Sequence, residues 1–202
     1  MTRLRWLPNA VLVGSGIPLG IIVARAMSGG LGANPVATAL NQLGLLALAL
    51  LVASLSCTPI KLLTGATWPM RVRKTLGVCA FFFALLHVLV YVALDQGLVW
   101  RALARDVVSR PFIALGAAAF TLLIPLAATS TRSSVKRLGA VRWRKLHRLA
   151  YPAAVIAALH YFVRVKKDVS EPSLYAGVLA LGFAARAVFA RRAKVADRGS
   201  GT

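Results

Sequence analysis

Apolar residues in this chain fall into long runs, while polar residues, glycine and proline collect between them. Six runs stand out, at about 7–27, 43–63, 76–95, 111–130, 148–165 and 173–190. Each is close to the roughly 20 residues of helix that cross a hydrocarbon core about 30 Å thick. The first connection, Ser28 to Pro35, is rich in turn residues. The second, Lys61 to Lys74, is basic and contains Pro69. The third carries Asp95, Gln96, Gly97, Arg101, Arg105 and Arg110. Pro111 then opens the fourth run, where a missing N–H costs nothing. Thr131 to Arg148 is the most basic connection, and the fifth holds Lys166, Lys167, Asp168, Glu171 and Pro172.

Backbone groups in lipid must be satisfied within the protein, so only helices or a closed barrel can span. The runs are too long and too uniformly apolar for barrel strands, which would alternate. The expected fold is all-α: a bundle of six transmembrane helices in one domain over residues 1–190, with a polar tail over 191–202. No internal repeat of useful length is visible.

Composition agrees. Of 202 residues, 58% are hydrophobic and only 15% charged, and the mean hydropathy is +0.73. The net charge of +20 would suggest nucleic acid on a soluble protein. Here the basic residues sit between apolar runs, where they anchor and orient helices in lipid. Eighteen Lys and Arg fall on the side of the two termini and seven on the other. The side richer in Lys and Arg faces the cytoplasm, so both termini are expected there. The first run follows Arg3 and Arg5 and is long, with no clear cleavage site, so it reads as a retained helix and not a signal peptide. Cys57 and Cys79 lack any CxxC spacing and read as small buried residues.

The chemistry rests on three histidines. His87 lies deep in the third run, His160 deep in the fifth, and His147 at the cytoplasmic mouth of the fifth. An ionisable group within hydrocarbon is costly and marks a candidate site. His87 comes 13 residues after Lys74, and His160 comes 12 residues after Arg148. At about 1.5 Å per residue, both imidazoles lie roughly 18–20 Å from the cytoplasmic boundary. The third and fifth helices run in the same direction, so the two rings share one depth. That suits a heme iron, which takes one neutral imidazole on each face of the ring plane.

His147 is 13 residues before His160, about 140° around a straight helix from it. Pro152 lies between them and is a possible kink. A second heme near the cytoplasmic face would need a second ligand, and the matching positions on the third run are Arg73 and Lys74. His147 also fits a plain interfacial histidine beside Trp143 and Tyr151. Arg164, one turn beyond His160, is placed to reach a heme propionate on the outer side. Arg186, inside the sixth run, is expected to snorkel to the cytoplasmic interface.

Two other readings of the histidines stay open. They are a hydrogen-bonded pair without a cofactor, and a small proton or metal transporter. Transporters usually show inverted repeats or broken helices, and neither is evident. Dinucleotide, phosphate-loop and zinc-protease motifs are absent, as is any nucleophile arrangement. Electrons would therefore arrive from a separate donor and leave to a separate acceptor.

Several stretches, taken in order and spacing, resemble one family. They are Gly30-Leu-Gly-Ala-Asn-Pro35, Arg73-Lys-Thr-Leu-Gly77 leading to His87, Ser109-Arg-Pro-Phe112, Leu138-Gly139 followed by Trp143-Arg-Lys-Leu-His-Arg-Leu-Ala-Tyr151, and His160-Tyr161. Over roughly residues 8–190 the chain resembles the MsrQ family, the heme-binding membrane subunits of the bacterial methionine-sulfoxide reductase system. That family sits among the ferric-reductase-like transmembrane domains, alongside the eukaryotic NADPH oxidases. The resemblance implies a bacterial inner-membrane protein carrying heme b and FMN. It implies electrons from the quinone pool or a cytosolic flavin reductase. The implied acceptor is MsrP, a periplasmic molybdopterin enzyme that repairs oxidised methionine in envelope proteins. It associates His87, His147 and His160 with heme. Larger relatives carry two histidines on each of two helices and hold two hemes, whereas the third run here carries one. Some relatives have a histidine near the start of the second run, where this chain reads Leu40-Asn-Gln-Leu43. No residue is assigned to FMN.

The charge bias is directly testable. A green fluorescent protein fused after Thr202 should fluoresce, and an alkaline phosphatase fused there should stay inactive. An active phosphatase would reverse the orientation.

Overall fold

The computed structural model describes residues 4–165 and 167–199. Arg3 and Lys166, and the side chains of Lys194 and Arg198, all counted in the charge bias, lie outside the described residues. The described residues form helices joined by short turns and loops, with no strand among them. The long helices are α1 (Leu7–Met27), α2 (Pro35–Thr64), α3 (Pro69–Val90), α5 (Pro111–Ala128), α8 (Ala150–Arg164) and α9 (Ser170–Gly199). Between them come the short helices α4 (Trp100–Ser109), α6 (Arg132–Leu138) and α7 (Ala140–Leu146). A π-helical turn, Tyr91–Asp95, extends α3, and a 3-10 turn, His147–Leu149, precedes α8.

Helix starts follow capping chemistry more closely than hydropathy. Expected starts at 43 and 76 move back to Pro35 and Pro69, because a proline at the first helical position gives up an N–H that has no partner anyway. The Asn34 side chain accepts from the Ala37 amide and caps α2. Gly65, at φ 73°, ends it in the left-handed conformation glycine adopts freely.

Among the described residues, five segments are long and apolar enough to cross a membrane: Leu7–Met27, Pro35–Thr64, Pro69–Asp95, Pro111–Ala128 and Ser170–Ala193. The expected sixth crossing, 148–165, departs from this. It folds as α8, 15 residues long, which at 1.5 Å per residue is roughly 22 Å. The basic approach to it breaks into α7 and the 3-10 turn. Pro152 falls in the first turn of α8, so it begins this helix and does not kink a longer one. At the other end α9 stays helical to Gly199, past the boundary expected near residue 190.

The bundle is built from two tight pairs, α2 with α3 and α5 with α8; α9 covers α2 and α8, and α1 lies on α3. α2 and α3 approach closely where Ser54 Oγ donates to the Arg73 carbonyl at 2.9 Å and faces Gly77. Phe81 of α3 stacks on Phe120 of α5, with centroids 5.7 Å apart. The larger core joins Leu48, Leu51, Leu55, Leu123, Ala153 and Ala154 across α2, α5 and α8. A second cluster joins Ile22, Leu43 and Phe83. Many large apolar residues, among them Leu12, Val13, Ile17 and Leu181, face outward, as a lipid-facing surface requires.

Ala153 and Ala154 are fully buried where α8 meets its neighbours. Ala154→Leu should therefore overpack the bundle at a cost of about 1–3 kcal/mol, read as a lower melting temperature in detergent.

Candidate functional site

α3 is backed by α2, and α8 by α5, but α3 and α8 are not among the closely packed pairs. Between them His87 and His160 reach toward each other. Their ring centroids are 6.3 Å apart and their planes are nearly perpendicular, at 83°. Metal–imidazole bonds run about 2.0–2.1 Å, and with about 1.1 Å from nitrogen to ring centre, two rings on opposite sides of one metal lie roughly 6.3 Å apart. The separation is thus one that a single iron spans.

Each ring is held from behind. His87 Nδ1 lies 2.9 Å from the Leu40 carbonyl on α2. His160 Nδ1 lies 2.5 Å from the Phe112 carbonyl on α5. A carbonyl only accepts, so each Nδ1 carries the proton and each Nε2 keeps its lone pair. That tautomer is the one a metal-ligating histidine needs, with its second nitrogen donating to an outer partner. Among the described residues no cluster of three or more His, Cys, Asp or Glu converges on one point. Two imidazoles alone are a poor cage for a bare ion, but they complete an iron that a porphyrin already holds by four nitrogens. The residues present therefore fit heme. Arg164 lies at the end of α8, close enough for its charge to bear on both imidazoles.

His147 is not part of this pair. Its ring stacks on Trp143, centroids 3.9 Å apart, and its Nε2 is 3.1 Å from Thr129 Oγ1. The Thr129 hydroxyl donates to the Pro125 carbonyl at 2.6 Å, so it accepts from His147. Trp143 Nε1 donates to the Thr129 carbonyl at 2.9 Å. Burial, and secondarily the charge of Arg73, push the His147 imidazole below its ordinary range, so it is neutral at neutral pH.

His147 and Trp143 line a cavity of about 740 Å³. It is also lined by the cations Arg73, Lys74, Arg132, Arg144 and Arg148 and by the apolar Leu51, Leu55, Phe81, Leu123 and Leu126. Among the described residues that line it, the only imidazole is that of His147. Arg186 turns inward to the edge of this cavity, unlike the snorkelling geometry expected for it. It donates to the Tyr151 hydroxyl at 2.6 Å and to the Leu55 carbonyl at 2.5 Å, and its guanidinium lies over the Tyr151 ring. Two polar partners inside the bundle take up its terminal nitrogens, while Nε is buried without a hydrogen-bond partner among the described residues.

Beyond the histidine pair, Tyr91 donates to Asp106 at 2.9 Å and Tyr161 to Glu171 at 2.7 Å. Asp106 also pairs with Arg110 at 3.5 Å. Sequence reasoning found the histidines but not the carbonyls that orient them, since every residue supplies a carbonyl. The only trace in the sequence is a glycine four residues after each, Gly44 and Gly116.

A model of the family described as "Ferric reductase like transmembrane component" matches residues 40–158. Curated relatives named "Protein-methionine-sulfoxide reductase heme-binding subunit MsrQ" align over most of the chain. The one from Rhodospirillum rubrum is 49% identical over 94% of this chain and 91% of its own. The one from Deinococcus radiodurans is 49% identical, covering 89% of each. The one from Ralstonia nicotianae is 45% identical over 74% of this chain and 70% of its own.

Proposed function

The chain belongs to the MsrQ family of ferric-reductase-like transmembrane proteins, and from that premise we propose that it carries electrons across the membrane through one heme b ligated by His87 and His160. The observation that carries this reading is the opposed pair of imidazoles, 6.3 Å apart, each with Nδ1 on a helix carbonyl. A heme bound there supplies a one-electron carrier inside the hydrocarbon layer. His87 and His160 would hold it through their Nε2 atoms, and Arg164 would offer a cation to a propionate. The apolar helices around the pair exclude water and so help set the reduction potential.

The protein is a multi-pass membrane protein serving methionine-sulfoxide reduction. The finer placement is a bacterial inner membrane with both termini cytoplasmic and α8 as the sixth, short crossing. Thinning of the bilayer and snorkelling of Arg148 and Arg164 at its two ends would offset the mismatch. Electrons enter at the basic face from the quinone pool or a cytosolic flavin reductase and leave at the opposite face to a periplasmic MsrP-type molybdoenzyme. The basic cavity is the seat for FMN. Its cations suit a phosphate and its aromatic and apolar walls suit a planar ring. His147 lines that cavity, hydrogen-bonded through Nε2 to a hydroxyl.

Reduced-minus-oxidised absorbance with a heme-to-protein ratio tests the ligand set. One heme per chain is expected. His87→Ala and His160→Ala should each remove most of it, while His147→Ala should keep it. Loss of heme only in His147→Ala would overturn the pairing. The cavity is tested separately: Arg73→Gln with Arg148→Gln should lower the FMN fluorescence released on denaturation while leaving the heme bands in place.

A further inference from the structure

Both histidines are seated by the same local device. The carbonyl that holds His87 belongs to Leu40, and one turn on in α2 is Gly44. The carbonyl that holds His160 belongs to Phe112, and one turn on in α5 is Gly116. A Cβ at Gly44 would lie 3.1 Å from both Nδ1 and Cε1 of His87. A Cβ at Gly116 would lie 3.0 Å from the same two atoms of His160. Other helical glycines are not used this way. Gly14, Gly16, Gly20 and Gly177 have nothing within 4 Å of such a Cβ.

The geometry has a simple cause. A helix carbonyl already accepts from the amide four residues on, but it has a second lone pair. For an imidazole to reach that lone pair from the side, the residue over the same patch of helix surface must have no side chain. Glycine in a helix interior costs stability relative to alanine, and in a membrane bundle it is favoured where something must approach the backbone closely. Here the approaching group is the edge of a histidine ring.

We infer that Gly44 and Gly116 are positioning residues for the two imidazoles, each leaving the space in which a ring edge lies against the helix with Nδ1 on its carbonyl and Nε2 free for a ligand. The consequence for a bound heme rests on the ligand reading above. A ring displaced by a few tenths of an ångström weakens its Nδ1–H···O=C bond and makes Nε2 a poorer donor. A poorer donor disfavours the ferric state more than the ferrous, so the midpoint potential rises. The seating of the rings does not depend on heme at all.

Two measurements test this on the full-length protein. In the first, Gly44→Ala and Gly116→Ala are compared with Gly14→Ala by spectroelectrochemical titration. Each of the first two should favour the ferric state about tenfold less, an upward shift of roughly 60 mV for a one-electron couple; Gly14→Ala should leave the potential unchanged. The second is a double-mutant cycle on melting temperature in the heme-free protein. Gly116→Ala should lower the melting temperature in the parent but raise it in His160→Ala, where the ring is gone and alanine is simply the better helix former. Recovery of a folded chain in the double variant, when Gly116→Ala alone does not fold, supports the inference equally. If Gly44→Ala and Gly116→Ala both behave like Gly14→Ala, or if Gly116→Ala is as damaging without the ring as with it, the inference fails. If the parent protein carries no heme, the ligand reading fails, and the melting cycle still decides the seating.

Discussion

The hydrogen bond from an imidazole Nδ1 to a helix carbonyl, made once between α3 and α2 and once between α8 and α5, is the contact around which this bundle is organised. Inside hydrocarbon no water is available to satisfy a ring N–H, so the partner must come from the protein. Taking it from the backbone of a packed neighbour has two effects. It ties the histidine-bearing helix to that neighbour, and it decides which ring nitrogen keeps its lone pair. Helix pairing and the ring tautomer are thus set by the same bond.

The two helix pairs then divide the work. α2–α3 and α5–α8 are each tightly joined, and each presents one imidazole to the space between them. Phe81 and Phe120 bridge the pairs by stacking, while fully buried alanines on α8 let the helices come close. α9 closes the bundle, and its inward-facing Arg186 is tied to Tyr151 and Leu55. α1 lies on α3 and buries little beyond Ile22.

Charge is segregated along the bundle. The end with α6 and α7 carries a cavity lined by both cations and apolar side chains. The four described acidic side chains lie in or beside the connections after α3 and α8. Asp106 holds Tyr91 and Arg110, Glu171 holds Tyr161, Asp168 caps Ser170 and Asp95 accepts from Gln96. With so few carboxylates, the basic end keeps an uncompensated positive field, which suits anionic groups and an acidic partner surface.

The class of fold, the helical runs, the two histidines that meet and the family are legible along the chain. These follow from hydropathy, from the spacing of His87 and His160 after the last cations of their runs, and from motifs read in order. Hydropathy set the starts of α1 and α5 at Leu7 and Pro111, where they are, but those of α2 and α3 at 43 and 76 instead of Pro35 and Pro69, because it is blind to proline and asparagine caps. Packing alone turns His147 to Trp143 and Thr129, faces Arg186 inward, and sets Leu40, Gly44, Phe112 and Gly116 against the two rings. The physical reason is that a carbonyl acceptor and an absent side chain carry no label along a chain. They acquire a role only when residues more than forty positions away are packed against them.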